Sequence, residues 1–249
     1  MKKPGEPVEW YEIAFDRMYP LLYPRRDREE AERVLDCFGD LLSGAEPVLD
    51  LACGNGRYLA GLLKRKFTTF GVDLSWFMVE RAVGTRRLRG KVVRGDMRRL
   101  PFRDGSFGAV LNMFTSFGYF AVDMDNLRVL HEVSRTLRHG GLFLFDFVNA
   151  SRIRRQQLLD TERREKGYTI CERRSIEDGR CLVKRVEAAH RRTGGTFEYE
   201  ERIRLYDQRE LATMLESADM VVSGVFGDYD RGPFVETESE RLIMVCERQ

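Results

Sequence analysis

Apolar and polar positions follow two different rhythms along this chain, and the change of rhythm divides it. In residues 47–149, short apolar runs are each followed by a segment with helical spacing. Val48-Leu49-Asp50-Leu51 reads as a buried strand, a turn of small residues follows, and Leu59, Leu62 and Leu63 share one helical face. A second apolar run begins near Phe67 and closes at Asp73, with Ser75 placed to cap the next helix. The third strand is Val92-Val93-Arg94, and the fourth covers residues 107–114. A helix over 125–138, stopped by Gly140-Gly141, leads to a fifth strand at 142–147. Strands that alternate with helices predict a parallel sheet with helices on both faces.

Either side of this unit the texture differs. Residues 1–46 read as helix, proline-broken turn and helix, with Trp10, Tyr11, Ala14, Phe15, Met18 and Tyr19 at helical spacing. Pro20 and Pro24 interrupt that pattern, and a new one opens at Asp27 and runs through Ala31, Val34, Leu35 and Phe38. Residues 151–206 are charge-rich and alternate with period two, with Asp178-Gly179 and Gly194-Gly195 as turn signals. Directly linked strands cannot build a parallel sheet, so three antiparallel strands are expected here as an insertion. The alternating unit resumes at 207–249 with a helix Gln208–Ser217, a strand Met220–Phe226 and a closing strand at 240–246.

Composition narrows the class. A chain of 249 residues with 43% hydrophobic content can bury one sizeable core. A net charge of +2 creates no global field to gather nucleic acid. The five cysteines are scattered without metal spacing, as expected for reduced thiols in a cytoplasmic protein. No signal-length apolar segment opens the chain, and no run approaches a membrane span.

The turn after the first strand carries the chemistry. In Asp50-Leu51-Ala52-Cys53-Gly54-Asn55-Gly56, small residues let a ligand lie against the backbone beside a helix N-terminus. A dinucleotide fold wants a third glycine where Leu59 stands, and Asp50 would repel a pyrophosphate. An acidic residue suits a cationic amino-acid ligand instead, and S-adenosylmethionine carries an ammonium, a sulfonium and an adenosine. Asp73 closes the second strand, where it either accepts ribose hydroxyls or caps the next helix. Asp96, after the third strand, either accepts the adenine amine beside the Met97 backbone or is an ordinary turn aspartate.

Together these motifs resemble the class I S-adenosylmethionine-dependent methyltransferase superfamily over residues 47–148. The resemblance implies a doubly wound sheet of seven mostly parallel strands with the last antiparallel. It places Asp50, Ala52, Gly54 and Gly56 around the methionine part, Asp73 on the ribose, and Asp96 with Met97 on the adenine; Asn55, Leu74, Met78, Asn112 and Met113 are further expected cofactor contacts. Ala52 stands where many members have glycine; alanine needs no positive φ, so the turn is expected to be unaffected. Tyr11 and Tyr23 are expected to reach the cofactor from an N-terminal lid, residues 1–46.

The stretch 113–120, the insertion, and Leu205 through Leu211 resemble the nucleotide-sugar N,N-dimethyltransferases of macrolide amino-sugar pathways. The same architecture is similar to glycine-type N-methyltransferases. The expected activity is direct in-line methyl transfer to a small molecule, at an amine. Tyr119 and Asp146 are the expected polar contributors; Asp146 either orients the amine or caps the segment at Ser151. The sequence also admits two other functions: an RNA methyltransferase using the basic residues of 86–103, and a cofactor-binding protein without catalysis. The insertion is expected to wall the acceptor pocket, or else to pair two subunits of a homodimer through an exposed edge.

Overall fold

The computed structural model describes residues 8–23 and 28–249. The N-terminal pattern resolves into α1 (Trp10–Ala14) and α2 (Tyr19–Leu22), with Pro20 in the first turn of α2, where a missing N–H costs nothing. Asp27 and Pro24 lie outside the described residues; α3 spans Arg28–Phe38. The alternating unit then runs β1 (Val48–Leu51), α4 (Arg57–Lys64), β2 (Thr69–Asp73), α5 (Trp76–Gly84), β3 (Val92–Arg94), β4 (Phe107–Asn112), α6 (Asp123–Thr136) and β5 (Leu137–Val148). After α7 (Ala150–Arg155) come β6 (Thr161–Glu165), β7 (Tyr168–Glu177), β8 (Cys181–His190) and β9 (Thr196–Arg204). The chain closes with α8 (Gln208–Ser217), β10 (Met220–Phe226) and β11 (Arg241–Arg248).

The main sheet has seven strands in the order β10-β11-β5-β4-β1-β2-β3. All pairs among β1 to β5 are parallel, whereas β11 runs antiparallel to both β5 and β10. This is the doubly wound arrangement expected from the sequence. Val129, Leu130, Leu211 and Leu215 from α6 and α8 pack on one face. Ala31, Val34, Phe38, Tyr58 and Leu62 from α3 and α4 pack on the other. Every residue of β1 and of β4 is buried, as both-face coverage requires. The chain winds outward from β1 to β3, then restarts with β4 on the other side of β1. That reversal opens a crevice at the carboxyl ends of β1 and β4, where open α/β sheets bind ligands.

Three boundaries differ from expectation. The insertion has four antiparallel strands rather than three, in the order β6-β7-β8-β9. The extra strand reads Thr-Glu-Arg-Arg-Glu, with no apolar alternation to announce it. It is a short, charged free edge, a composition that resists pairing with another chain. Strand β4 ends at Asn112, because Phe114 and Thr115 turn into positive φ at 63° and 62°. Strand β5 begins directly at Leu137, with Gly140 at φ 71° inside it rather than ending a helix.

The inserted sheet is seated on the rest of the chain. Its inner face buries Ile170, Val186, Ala188 and Tyr199 against Ala14 and Leu22. Strand β9 joins the main unit where the Arg204 N–H donates to the Gly118 carbonyl at 2.8 Å. Gly118 sits at φ 79°, and a Cβ there would fall 2.8 Å from the Arg204 carbonyl oxygen, so only glycine permits this approach. Among the described residues no helix is long and apolar enough to cross a membrane. Among them, too, no group of His, Cys, Asp and Glu is placed to hold a metal.

Candidate active site

A cleft of about 1060 Å³ lies over the carboxyl ends of β1, β2, β3 and β4. Its floor is the turn between β1 and α4. Gly54 and Gly56 take φ of 54° and 77°, and Gly56 is the left-handed N-cap of α4. A Cβ on Gly56 would come within 2.5 Å of Leu88 Cδ1, so its glycine serves packing beneath the turn. Ala52 also has positive φ, at 58°, contrary to the expectation that alanine leaves the turn unstrained. The turn demands the left-handed conformation whichever residue stands there.

Asp73 ties two turns together. One carboxylate oxygen accepts the Gly54 N–H and the other the Ser75 N–H, each at 2.8 Å. Ser75 caps α5 by accepting the Met78 N–H at 3.2 Å, and its hydroxyl donates to the Phe15 carbonyl at 2.6 Å. Burial raises the Asp73 carboxyl above its ordinary range, against the pull of these backbone donors. Asp73 thus clamps both turns, in addition to facing the cleft. Asp73→Asn must turn an amide N–H toward one of the two backbone donors. We expect it to weaken cofactor binding by about 1–3 kcal/mol, read by calorimetry with the demethylated cofactor; equal affinity would remove Asp73 from the site.

Asp50 is 2% exposed, and its Oδ2 has no hydrogen-bond partner among the described residues. Burial lifts its carboxyl to about 8, opposed by the Arg57 guanidinium and reinforced by Asp73. The Tyr58 hydroxyl is likewise buried without a partner, and both residues line the cleft. Arg57 lines it too, ion-paired with Glu30 and lying 4.8 Å over the Phe114 ring. Unsatisfied buried polar atoms are costly, and here a carboxylate oxygen and a hydroxyl face one space beside a guanidinium. The two partnerless atoms beside a guanidinium are chemically suited to an α-amino-acid end, with its ammonium and carboxylate.

Beyond β3, on the cleft wall, Asp96 is engaged by its near neighbour Arg98. Arg98 reaches it with Nη2 at 2.7 Å and with Nε at 3.1 Å, while also touching Asp125 and stacking over Phe120. Burial pushes the Asp96 carboxyl up, but the Arg98 hydrogen bonds and charge hold it below its ordinary range. Tyr11, 6% exposed, stacks with Tyr119 and has its phenol raised to about 12 by burial.

Of the residues singled out in the sequence, Tyr11, Asp50, Ala52, Gly54, Asn55, Asp73, Leu74, Met78, Asp96, Met97, Met113 and Tyr119 line the cleft together. Gly56 and Asn112 stand behind it. The Asn112 amide is buried and donates to the Leu51 and Ser116 carbonyls, bracing β1 against the loop after β4. Tyr23 is not at the cofactor cleft. Its hydroxyl meets Glu201, Tyr199 and Lys184 on the inserted sheet instead. Phe15, Tyr19, Phe114 and Phe120 also line the cleft. The cluster of aromatic and small residues over 114–120 was the available signal for the last two.

Asp146 does not reach the cleft either. It is fully buried and pairs with Arg241, whose Nε lies 2.7 Å from Oδ1. Its Oδ2 accepts from the Phe114 N–H at 2.7 Å and the Tyr229 hydroxyl at 2.8 Å. Arg241 Nη2 donates to Thr115 Oγ1 at 2.8 Å. The pair holds the strained Phe114–Thr115 turn, and Asp146 itself lines neither this cleft nor its neighbour. The basic stretch 86–103 is partly consumed inside the fold, since Arg98 binds acids and Arg94 Nε donates to the Leu74 carbonyl. The strand histidines are spread apart, with His139 of β5 on the Gln249 carbonyl and His190 at the end of β8 on Thr193.

Residues 48–141 match the sequence family described as methyltransferase domain. The seven-stranded order above is that of the class I S-adenosylmethionine-dependent methyltransferase fold, and this part of the chain is similar to that domain. One similar protein is the dTDP-3-amino-3,4,6-trideoxy-alpha-D-glucopyranose N,N-dimethyltransferase of Streptomyces venezuelae, 31% identical over 141 residues, which are 55% of this chain and 58% of that one. The chain spans about half the length of the curated relatives it matches. Among solved structures, an S-adenosylmethionine-dependent methyltransferase from Clostridium acetobutylicum superposes with a TM-score of 0.77 at 21% identity, covering 93% of this chain and 96% of that one. A sugar N-methyltransferase from Streptoalloteichus superposes at 0.72 with 23% identity, covering 100% and 97%. At these identities the superpositions establish the fold alone.

Proposed function

We propose that this protein is an S-adenosylmethionine-dependent methyltransferase acting on a small molecule, at an amine. The observation that carries the reading is the buried, partnerless Oδ2 of Asp50 facing a cleft that Arg57 and Tyr58 also line. Asp50 receives the cofactor's ammonium, Arg57 and Tyr58 its carboxylate, Asp73 the ribose hydroxyls, and Met97 with Asp96 the adenine edge. When bound, the cofactor supplies a methyl group on a sulfonium, a good leaving group. The protein's own work is alignment and exclusion of water, the entropic share of catalysis.

The aromatic cluster of Trp10, Phe15 and Tyr119 provides that exclusion. Trp10 Nε1 donates to the Tyr119 carbonyl at 3.3 Å, and the two rings meet edge to face at 4.8 Å. These contacts support reading the N-terminal segment as a lid and Tyr119 as the side chain that orients the acceptor. A neutral amine needs only prior loss of its proton, so no catalytic dyad is required. N-methylation is supported by the relative named as an N,N-dimethyltransferase. The five free thiols fit a cytoplasmic setting.

The test is calorimetry with S-adenosylmethionine and its demethylated product, followed by radiolabelled methyl transfer to a panel of primary amines, hydroxylated compounds and RNA. Stoichiometric cofactor binding and label on amines are expected. Preference for NAD would sink the reading, and label found only on RNA would replace the acceptor.

A further inference from the structure

The inner face of the inserted sheet is apolar at its two ends and charged between them: buried Glu172 shares one row with Val186 and Tyr199, and the next row is charged throughout. Ile170, Ala188 and Phe197 are register partners, as are Ile176, Leu182 and Ile203. Between these rows Arg174, Lys184 and Glu201 stand side by side on β7, β8 and β9. The Lys184 and Glu201 side chains are only 11% and 12% exposed, and they pair at 2.7 Å. Burying such a row in place of apolar residues costs several kcal/mol per ion before pairing repays it. It adds little that a leucine row would not, unless the charges meet a ligand.

A second cavity, of about 750 Å³, opens on this row. Phe15, Phe114 and Tyr119 line both cavities, so the two spaces meet across these rings. The wall toward the cofactor is aromatic, and the wall from the inserted sheet is charged. Arg174, Lys184 and Arg241 face this cavity, and Glu201 is the acid among its described lining residues. Glu172 and Asp146, the partners of Arg174 and Arg241, are buried and do not line it. The cations are therefore presented and most of their counter-charges are set back. Glu201 also accepts from the Tyr199 hydroxyl at 3.0 Å and from Tyr23. Its charge stays satisfied when Lys184 shares its donors with something else.

Building on the methyltransferase reading, we propose that the second cavity is the acceptor site and that the acceptor carries an oxyanion, a phosphate or a carboxylate, bound between Arg174 and Lys184. The reacting group then points back past Tyr119 toward the methyl. Arginine and lysine side by side offer a planar fork and a mobile point charge to one anion. A neutral acceptor would leave both cations facing an apolar body and is selected against.

Trp10 lines this cavity, while Trp76, the second of the two tryptophans, is 57% exposed on α5. Trp76→Phe makes Trp10 the sole tryptophan reporter. The protein is saturated with S-adenosylhomocysteine, then titrated at constant ionic strength with inorganic pyrophosphate and, separately, with glutarate. A saturable change in Trp10 fluorescence is expected, and the anion that binds more tightly identifies the phosphate or the carboxylate class. The paired replacement Lys184→Met with Glu201→Gln removes both charges without stranding one, and should weaken that anion at least tenfold. Arg174→Gln, on the same row and 30% exposed, should weaken it about fivefold and stands in if the paired variant does not fold. With S-adenosylhomocysteine bound normally, no saturable response, or equal affinity in the variants, overturns the anion site alone. Absence of S-adenosylhomocysteine binding overturns the underlying reading with it.

Discussion

Asp50→Ala is expected to weaken cofactor binding by about 2–5 kcal/mol, the range for truncating one partner of a buried charge pair. That is a loss of roughly 30-fold to several-thousand-fold in affinity. The cofactor-free protein should lose less, because only the Leu59 N–H contact goes with the carboxylate and Oδ2 has no partner among the described residues. The pH dependence separates this from a packing defect. Burial lifts the Asp50 carboxyl to about 8, so the folded chain holds a proton that the unfolded chain has released above about pH 4. Stability of the cofactor-free protein therefore falls as pH rises from about 4 through about 8, and Asp50→Asn removes that slope. Cofactor binding runs the opposite way, since an ammonium favours the carboxylate. S-adenosylhomocysteine should bind more tightly as pH approaches 8 and release a proton on binding. The ligand's own titration is common to parent and Asp50→Asn, so the difference in proton release, read by calorimetry in two buffers, belongs to Asp50. Equal release in the two proteins refutes the assignment.

Asp146→Ala should destabilise the fold by about 3–5 kcal/mol, because it leaves the Arg241 guanidinium buried without its acid. For a chain of this size that is a fall in Tm of about 6–20 °C. Replacing both partners, as Asp146→Leu with Arg241→Met, should restore most of the stability, since apolar substitution of a buried pair is often neutral. The double variant still lacks the acceptor for the Phe114 N–H and the donor to Thr115 Oγ1. The turn at φ 63° and 62° then relaxes toward ordinary conformations. Because Phe114 borders both cavities, methyl transfer should drop with cofactor affinity nearly intact. A double variant as active as the parent would reduce the clamp to a purely stabilising device.

Much of this molecule was decided by short-range chemistry, and that part was legible in the chain. The order of strands and helices follows from apolar period, and the glycine turn after β1 follows from backbone demands that hold at any position in any fold. Asp50 and Asp73 were readable because each ends a strand of a repeating β-α unit, which places strand ends on one edge of the sheet. The boundaries of α8 and β10 were readable for the same local reasons. Other features depended on partners distant along the chain. Asp146 looks like a free acid until β11 brings Arg241 to it across 95 residues. Tyr23 belongs to an aromatic lid by spacing, yet its hydroxyl is claimed by Tyr199, 176 residues away, because the insertion folds back over α2. Ala52 is driven to positive φ by the turn closing on Val72 and Asp73. Strand β6 has no pattern of its own and exists because β7 offers it a ladder. Elements and the glycine turn rest on backbone geometry and local hydrophobic period, so they can be read along the chain. Which charges are spent on one another and which face a cavity cannot, since a side chain's partner is set by whatever the fold delivers to it.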